Sequence, residues 1–367
     1  MLHWLDRPEI LIIYGARQVG KTTLLKEFIK SRKDAILLNC EMPVVIGILE
    51  SRDLQAMSSL FGQYRIICLD EAQKIFNIGS VLKLIHDELP AYKIIATGSS
   101  SFELANQVVE PLTGRNVKFR LYPLSLSEMD SKNGWLWVLN SLNQLLIYGN
   151  YPGLIGLNIR DKEVKLSELT SDYLYQDILI YENVRHPSVI RNLLKALALQ
   201  VGSQVSVSEL SGMLGLSRPT VEKFLDLLEK SFVIFRLPSF SRNLRNEIKK
   251  SQKFYFYDNG ILNALTGNFS LMHNRSDAGL LWENYCIAER MKQMNTGVTG
   301  VVNMYFWRTY DGAEIDLIEE SGGLLNTFEF KWNVKKKPLI PESFSSSYKV
   351  RSYRVISPET LYLMKEN

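Results

Sequence analysis

Cysteine is scarce: the 367 residues hold three, Cys40, Cys68 and Cys286. They are far apart, odd in number, and none lies in a Cys-x-x-Cys pair. That argues against a disulfide framework or a cysteine zinc site and fits a reducing compartment. Long apolar runs are missing too. None approaches the ~20 residues of a membrane span. Residues 9–14 are apolar, but the run is too short for a signal peptide and lacks a basic flank. A cytoplasmic chain without a membrane partner is therefore expected. Internal repeats and low-complexity tracts are absent. Charge of one sign is not in large excess: the net value is +4, too mild to prove a nucleic-acid partner by itself. What is present is ordinary, with 46% apolar and 22% charged residues, enough to bury cores. At roughly 100–200 residues per domain, the length predicts two to four domains.

Over the first 120 residues, short apolar runs alternate with helical spacing. Residues 9–14, 35–39, 65–69 and 93–97 are rich in aliphatic and β-branched side chains. Buried parallel strands have this composition, and the intervening helical patterns imply βαβ units. After the first run comes Gly15-Ala16-Arg17-Gln18-Val19-Gly20-Lys21-Thr22, followed by Thr23 and a helical pattern. An eight-residue match of this kind arises by chance on the order of once per hundred chains this long, and less often between a strand and a helix. Gly15 and Gly20 let the backbone curl so that its N–H groups face phosphates. Lys21 would reach the β- and γ-phosphates of ATP, and Thr22 would offer a hydroxyl to Mg²⁺ at a helix N-terminus.

A second strand, Ile66-Ile67-Cys68-Leu69, ends in Asp70-Glu71. Asp70 would hold Mg²⁺, directly or through water, and Glu71 would activate the attacking water. Small-molecule kinases rarely need the second carboxylate as a base, so the pair favours hydrolysis. A third strand ends in Thr97-Gly98-Ser99-Ser100. Ser99 is the candidate for orienting the water, with Thr97 and Ser100 as rivals and a plain serine-rich turn as the alternative. Arg115 is either a γ-phosphate arginine or an ordinary surface residue.

From 124 to 200 the pattern is helical. Then 206–214 and 218–230 read as two helices around Gly215-Leu216-Ser217, and a strand opens at Phe232. Helix, tight turn, helix and hairpin describe a winged helix-turn-helix. Its second helix would expose Arg218, Thr220, Glu222, Lys223 and Asp226, a mixed set. The following stretch is more basic: Arg236, Arg242, Arg245, Lys249, Lys250 and Lys253 against Glu247 alone, with Phe240 interleaved. Such a wing would neutralise DNA phosphates in a salt-dependent way; packing between domains is the alternative. Near the C-terminus, Phe328-Glu329-Phe330-Lys331 and Glu314-Ile315-Asp316 alternate as strands do, and Gly322-Gly323 marks a turn between them. Asp316 and Glu329 can thus converge, with Glu283 from the preceding helix. Together with Lys331 they compose a candidate Mg²⁺ site for phosphodiester hydrolysis. Solvated strand carboxylates are the alternative.

Taken together, these motifs resemble a prokaryotic family of AAA-type ATP-binding proteins with a C-terminal winged helix and a PD-(D/E)xK nuclease-like domain. The resemblance also rests on Leu69-Asp70-Glu71-Ala72-Gln73, Gly114-Arg115 and Pro123-Leu124-Ser125-Leu126-Ser127-Glu128. Tyr151-Pro152, Gln176-Asp177-Ile178, Tyr255-Phe256-Tyr257-Asp258-Asn259-Gly260, Trp307-Arg308 and Gly312-Ala313 extend it. It implies an α/β chain in four parts: a P-loop NTPase domain of the ASCE/AAA-like type (1–123), a helical lid or linker (124–200), a winged helix (201–256) and a restriction-endonuclease-like domain (257–367). Only eight residues precede the first strand, where relatives carry a helix or two, so an adenine pocket that is incomplete or built differently is expected. Asp258 reads as a helix cap or a site carboxylate, and Arg308 as a phosphate contact or a strand-end ion pair. Three functions follow. The first is a Mg²⁺-dependent ATPase whose nucleotide state governs DNA engagement. The second is an ATP-gated nuclease. The third is a nucleotide switch with a protein partner and an inactive nuclease-like fold. Oligomerisation is open, because many such ATPases complete their site with a neighbour's arginine.

Overall fold

The computed structural model describes residues 2–98, 112–173, 187–241, 252–294, 302–335 and 338–365. Ser99, Ser100, Gln176, Asp177, Ile178, Arg242, Arg245, Glu247, Lys249 and Lys250 lie outside them. The chain divides into two compact units. One comprises Met1–Tyr122 with Lys230–Phe232, the other Pro123–Glu229 with Val233–Asn367.

The first unit is built on a sheet whose three central strands bury every side chain. β1 (Ile10–Tyr14) and β3 (Ile66–Asp70) are buried at all five positions. Each aliphatic side chain so buried contributes about 1.5–3 kcal/mol. β2 (Ala35–Asn39), β4 (Lys93–Gly98) and β5 (Asn116–Arg120) complete a five-stranded sheet in the order β2-β3-β4-β1-β5. All its pairs are parallel. Helices α1 (Lys21–Lys30), α2 (Pro43–Ser51), α3 (Leu54–Phe61) and α4 (Ile78–Glu88) make the crossovers. β4 lies between the strand that leads into the glycine loop and the strand that ends in the acidic pair. The strand β5 was not foreseen: Asn116-Val117-Lys118-Phe119-Arg120 is half exposed, as an edge strand is.

The second unit opens with helices α5 (Leu126–Asn133), α6 (Trp135–Tyr148) and α7 (Ile159–Glu168). Ser125 and Glu128 form a capping box at the start of α5. Next come α8 (Pro187–Leu199), β6 (Gln204–Val205), α9 (Val207–Leu214), α10 (Arg218–Lys230), β7 (Ile234–Pro238) and β8 (Gln252–Phe256). The three strands pair antiparallel in the order β6-β8-β7. Helix α11 (Asn259–Thr266) starts at Asp258, whose carboxylate accepts from the N–H of Gly260 and of Ile261 at 2.8 and 3.3 Å. Asp258 is thus a cap. Helix α12 (Ala278–Met294) then packs on β11 (Leu324–Phe330), which shares a sheet with β9 (Asn303–Arg308), β10 (Glu314–Ser321) and β12 (Val350–Ile356). The sheet order is β12-β11-β10-β9, antiparallel except for the parallel pair β11–β12. Among the described residues no helix is long and apolar enough to cross a membrane.

Candidate nucleotide and acidic sites

In the first unit the glycine loop runs from β1 into α1. Gly20 has φ 101° and Gln18 φ 57°, so the chain curls back through the left-handed region just before the helix. Gly15 has a different reason to be glycine. A Cβ there would stand 2.0 Å from the carbonyl oxygen of Leu121, at the end of β5. Lys21 is 5% exposed, and its ammonium donates to the carbonyls of Gly15 and Ala16 at 2.9 and 2.8 Å. A cation held over the loop by its own backbone sits at a helix N-terminus, where anions bind.

Asp70 ends β3 and is 6% exposed. One of its oxygens accepts from Thr22 Oγ1 at 2.7 Å, the other from Thr97 Oγ1 at 2.6 Å. Thr97 is fully buried at the end of β4 and in turn accepts from the N–H of Glu71 at 3.3 Å. Thr22, Asp70, Thr97 and Glu71 therefore form one hydrogen-bonded row across two strand ends and the first turn of α1. Glu71 itself has φ 55°, which turns it out of the strand line, and Gln73 Nε2 donates to its carboxylate at 2.5 Å. The thiols of Cys40 and Cys68 are pushed up to about 12, first by burial and then by Asp70, with Glu71 also acting on Cys40.

The structure does not bring Arg115 to this row. Its carbonyl accepts from Ile10 at the start of β1, and its guanidinium pairs with Asp87 at 2.8 Å. In a parallel pair, that is the end of the sheet opposite the loop, about five residues or on the order of 16 Å away. The candidate γ-phosphate arginine is thus an ion-paired residue at the wrong end of β5. Arg120, level with Tyr14 and donating to its hydroxyl at 3.1 Å, is at the loop's end. Recognising β5 as a parallel strand would have found it.

In the second unit, β10 and β11 pair in a register that sets Asp316 opposite Glu329. The N–H of Phe330 donates to Asp316 at 2.8 Å, and Lys331 pairs with Glu329 at 2.6 Å. Helix α12 brings Glu283 to the same place. It is fixed by Asn284, whose side chain bonds both the N–H and the carbonyl of Phe256 on β8, at 2.8 and 3.1 Å. Burial raises the pKa of Asp316 well above the ordinary carboxylate value, with Glu283 and Glu329 pushing the same way. Burial likewise raises Glu329, against the pull of Lys331. Four groups join this cluster that sequence reasoning did not place in it: Tyr255, Lys253, Glu314 and Arg308. Tyr255 donates to Glu283 at 2.7 Å. Lys253 pairs with Glu314 at 2.6 Å and Glu283 at 3.4 Å. Arg308 faces Glu314 at 3.8 Å, a strand-end ion pair. Among the described residues no group of three His, Cys, Asp or Glu side chains is arranged to hold a metal ion.

Two of the six cations expected on a basic wing are therefore spent inside the protein. Lys253 is 2% exposed in the acidic cluster, because β8 turns Lys253 and Tyr255 to one face and Phe254 and Phe256 to the other. Arg236 pairs with Asp226 and, at 2.7 Å, with Glu229. Arg218, Glu222, Lys223 and Asp226 are exposed on α10 and Thr220 half-buried.

Comparison with known proteins fits this division. Residues 7–130 match the family model of an AAA domain. Residues 139–271 and 278–366 match two domains of unknown function, DUF8612 and DUF4143. Over 333 residues the chain is 27% identical to the uncharacterized protein Rv2008c of Mycobacterium tuberculosis, covering 89% of this chain and 71% of that one. Over 305 residues it is 25% identical to the uncharacterized protein MJ1544 of Methanocaldococcus jannaschii, covering 77% and 66%. The Walker-type ATPase PABY2304 of Pyrococcus abyssi aligns with a TM-score of 0.49 at 20% identity, over 71% of this chain and 91% of that one. The N-terminal segment is thus similar to an AAA domain over residues 7–130.

Proposed function

We propose that the chain hydrolyses ATP with Mg²⁺ at the row Thr22–Asp70–Thr97–Glu71. The carrying observation is Asp70, held at both oxygens by Thr22 and Thr97. A hydroxyl and a carboxylate 2.7 Å apart at a strand end are hard oxygen donors, the kind Mg²⁺ takes. Thr22 and Asp70 would hold the ion, which when bound neutralises phosphate charge. Lys21 would leave the carbonyls of Gly15 and Ala16 for the phosphates. Glu71, turned out of the strand line and oriented by Gln73, would take the proton of the attacking water. Lys21→Ala should abolish turnover. Glu71→Gln should keep ATP bound while lowering turnover by about 10²–10⁴-fold. Undiminished phosphate release from Lys21→Ala would overturn the assignment.

For the second unit, helix, strand, two helices and a hairpin support the winged-helix reading. A helix on three antiparallel strands followed by a parallel one supports the nuclease-like reading. With Arg236 and Lys253 paired within the unit, Arg242, Arg245, Lys249 and Lys250 are left as the wing's candidate DNA contacts, and a protein partner is the alternative. A salt-titrated DNA-binding assay decides between them. Binding whose log K falls steeply with log salt would support the DNA reading.

A further inference from the structure

We propose that the ammonium of Lys253 is the resident cation of the acidic cluster on the four-stranded sheet, and that it shuts that cluster to divalent metal. The inference rests on side-chain positions in the second unit and does not depend on the ATPase reading. Glu283, Glu314, Asp316 and Glu329 come from one helix and two strands onto one patch. Carboxylate oxygens are the donors such cations take, at about 2.0–2.6 Å, although these four are not arranged around an ion here. Each is already engaged. Lys253 Nζ stands 2.6 Å from Glu314 and 3.4 Å from Glu283, a cation shared between carboxylates of helix and strand. Glu283 is also held by Tyr255 at 2.7 Å, Glu329 by Lys331 at 2.6 Å, and Asp316 by the N–H of Phe330 at 2.8 Å. The donor set therefore does not fit a metal ion as it stands.

What singles out Lys253 is its origin and its burial. Lys331 is 42% exposed at its side chain and can swing away, whereas that of Lys253 is 3% exposed. Lys253 belongs to β8 in the three-stranded sheet, while its partner Glu314 belongs to β10 in the four-stranded one. The two sheets also meet where the N–H of Phe240 donates to the carbonyl of Phe306 at 2.6 Å. A lysine delivered from one sheet into the carboxylates of the other supplies the positive charge the cluster needs. It also closes the seam between them, so the cluster serves as an internal ion-pair joint.

The test counts Mn²⁺ on the nucleotide-free full chain by the loss of the free-ion EPR signal. All proteins carry Asp70→Asn, so that sites in the P-loop unit do not contribute. With Lys253 in place, no Mn²⁺ site that Asp316→Asn removes is expected, and no Mn²⁺-dependent plasmid nicking that Glu329→Gln removes. Lys253→Gln should gain about one Mn²⁺ equivalent, at least tenfold tighter than its parent, lost again when Asp316→Asn is added. Lys253→Arg, which keeps the cation, should gain none. If Lys253→Gln folds poorly, its melting temperature should rise with Mn²⁺ and that of Lys253→Arg should not. An Asp316-dependent Mn²⁺ site or Glu329-dependent nicking in the Lys253 chain would overturn the proposal. So would a Lys253→Gln protein that neither gains the ion nor is stabilised by it.

Discussion

At the scale of single residues, two positions turn on what a neighbour demands. Thr97 offers one hydroxyl to Asp70 and receives one N–H from Glu71. Thr97→Ala removes both and leaves Asp70 short of a donor, so on the proposed ATPase reading turnover should fall by about 10²-fold, as for the loss of one positioned hydrogen bond. Thr97→Ser keeps the hydroxyl and should recover most of it, as steady-state ATP hydrolysis would show. Asp316 is governed by burial. A carboxyl whose folded pKa is raised favours the fold below its unfolded pKa, and that contribution is lost as pH rises through the folded value. Asp316→Asn, which still accepts from Phe330, should therefore melt higher than wild type at pH 7.5, with the gain vanishing near pH 4. Each kcal/mol would shift Tm by about 2–4 °C. Melts across that range check the sign. The register of Asp316 and Glu329 was legible, because strict alternation on either side of Gly322-Gly323 fixes which side chains meet. The fate of Lys253 was not. A lysine among wing residues reads as a phosphate contact until the strand's two faces and the carboxylates beneath one of them are known.

At the scale of elements, aliphatic runs announced four strands, and β1 to β4 stand within a residue of where those runs lie. The strand β5 was not so announced: β2 at the other edge keeps an unbroken aliphatic run, whereas Lys118 and Arg120 break that of β5. Missing it misplaced Arg115 and hid why Gly15 is glycine. The loop's first residue is pressed against the backbone of the strand that runs beside it. Gly15→Ala must move either the Leu121 carbonyl or the loop, a crowding that costs about 1–3 kcal/mol. A lowered melting temperature with weakened ATP binding is the expected result. A fluorescent nucleotide titration and a thermal melt measure both together. Gly20, at φ 101°, would fail for the separate reason of backbone strain.

At the scale of the whole molecule, the scarce cysteines become reporters. All three are buried, Cys40 and Cys68 beside Asp70 in the first unit and Cys286 on α12 in the second. Burial pushes the first two thiols up to about 12 and the third well above its usual value, with Glu289 adding to the third. At pH 8 a thiol of that acidity is thiolate in about one molecule in 10⁴, so alkylation must wait for the surrounding structure to open. A ligand at 100 times its Kd stabilises the state that binds it by about 2.7 kcal/mol, which slows opening-limited labelling by about a hundredfold. Mg²⁺ and a non-hydrolysable ATP analogue should therefore protect Cys40 and Cys68 from iodoacetamide by that factor. If the two units open separately, Cys286 should react at its unliganded rate. Mass spectrometry of each cysteine peptide over time separates the outcomes. Equal protection of Cys286 would mean that nucleotide in the first unit is felt through the second, which is the coupling a nucleotide switch requires.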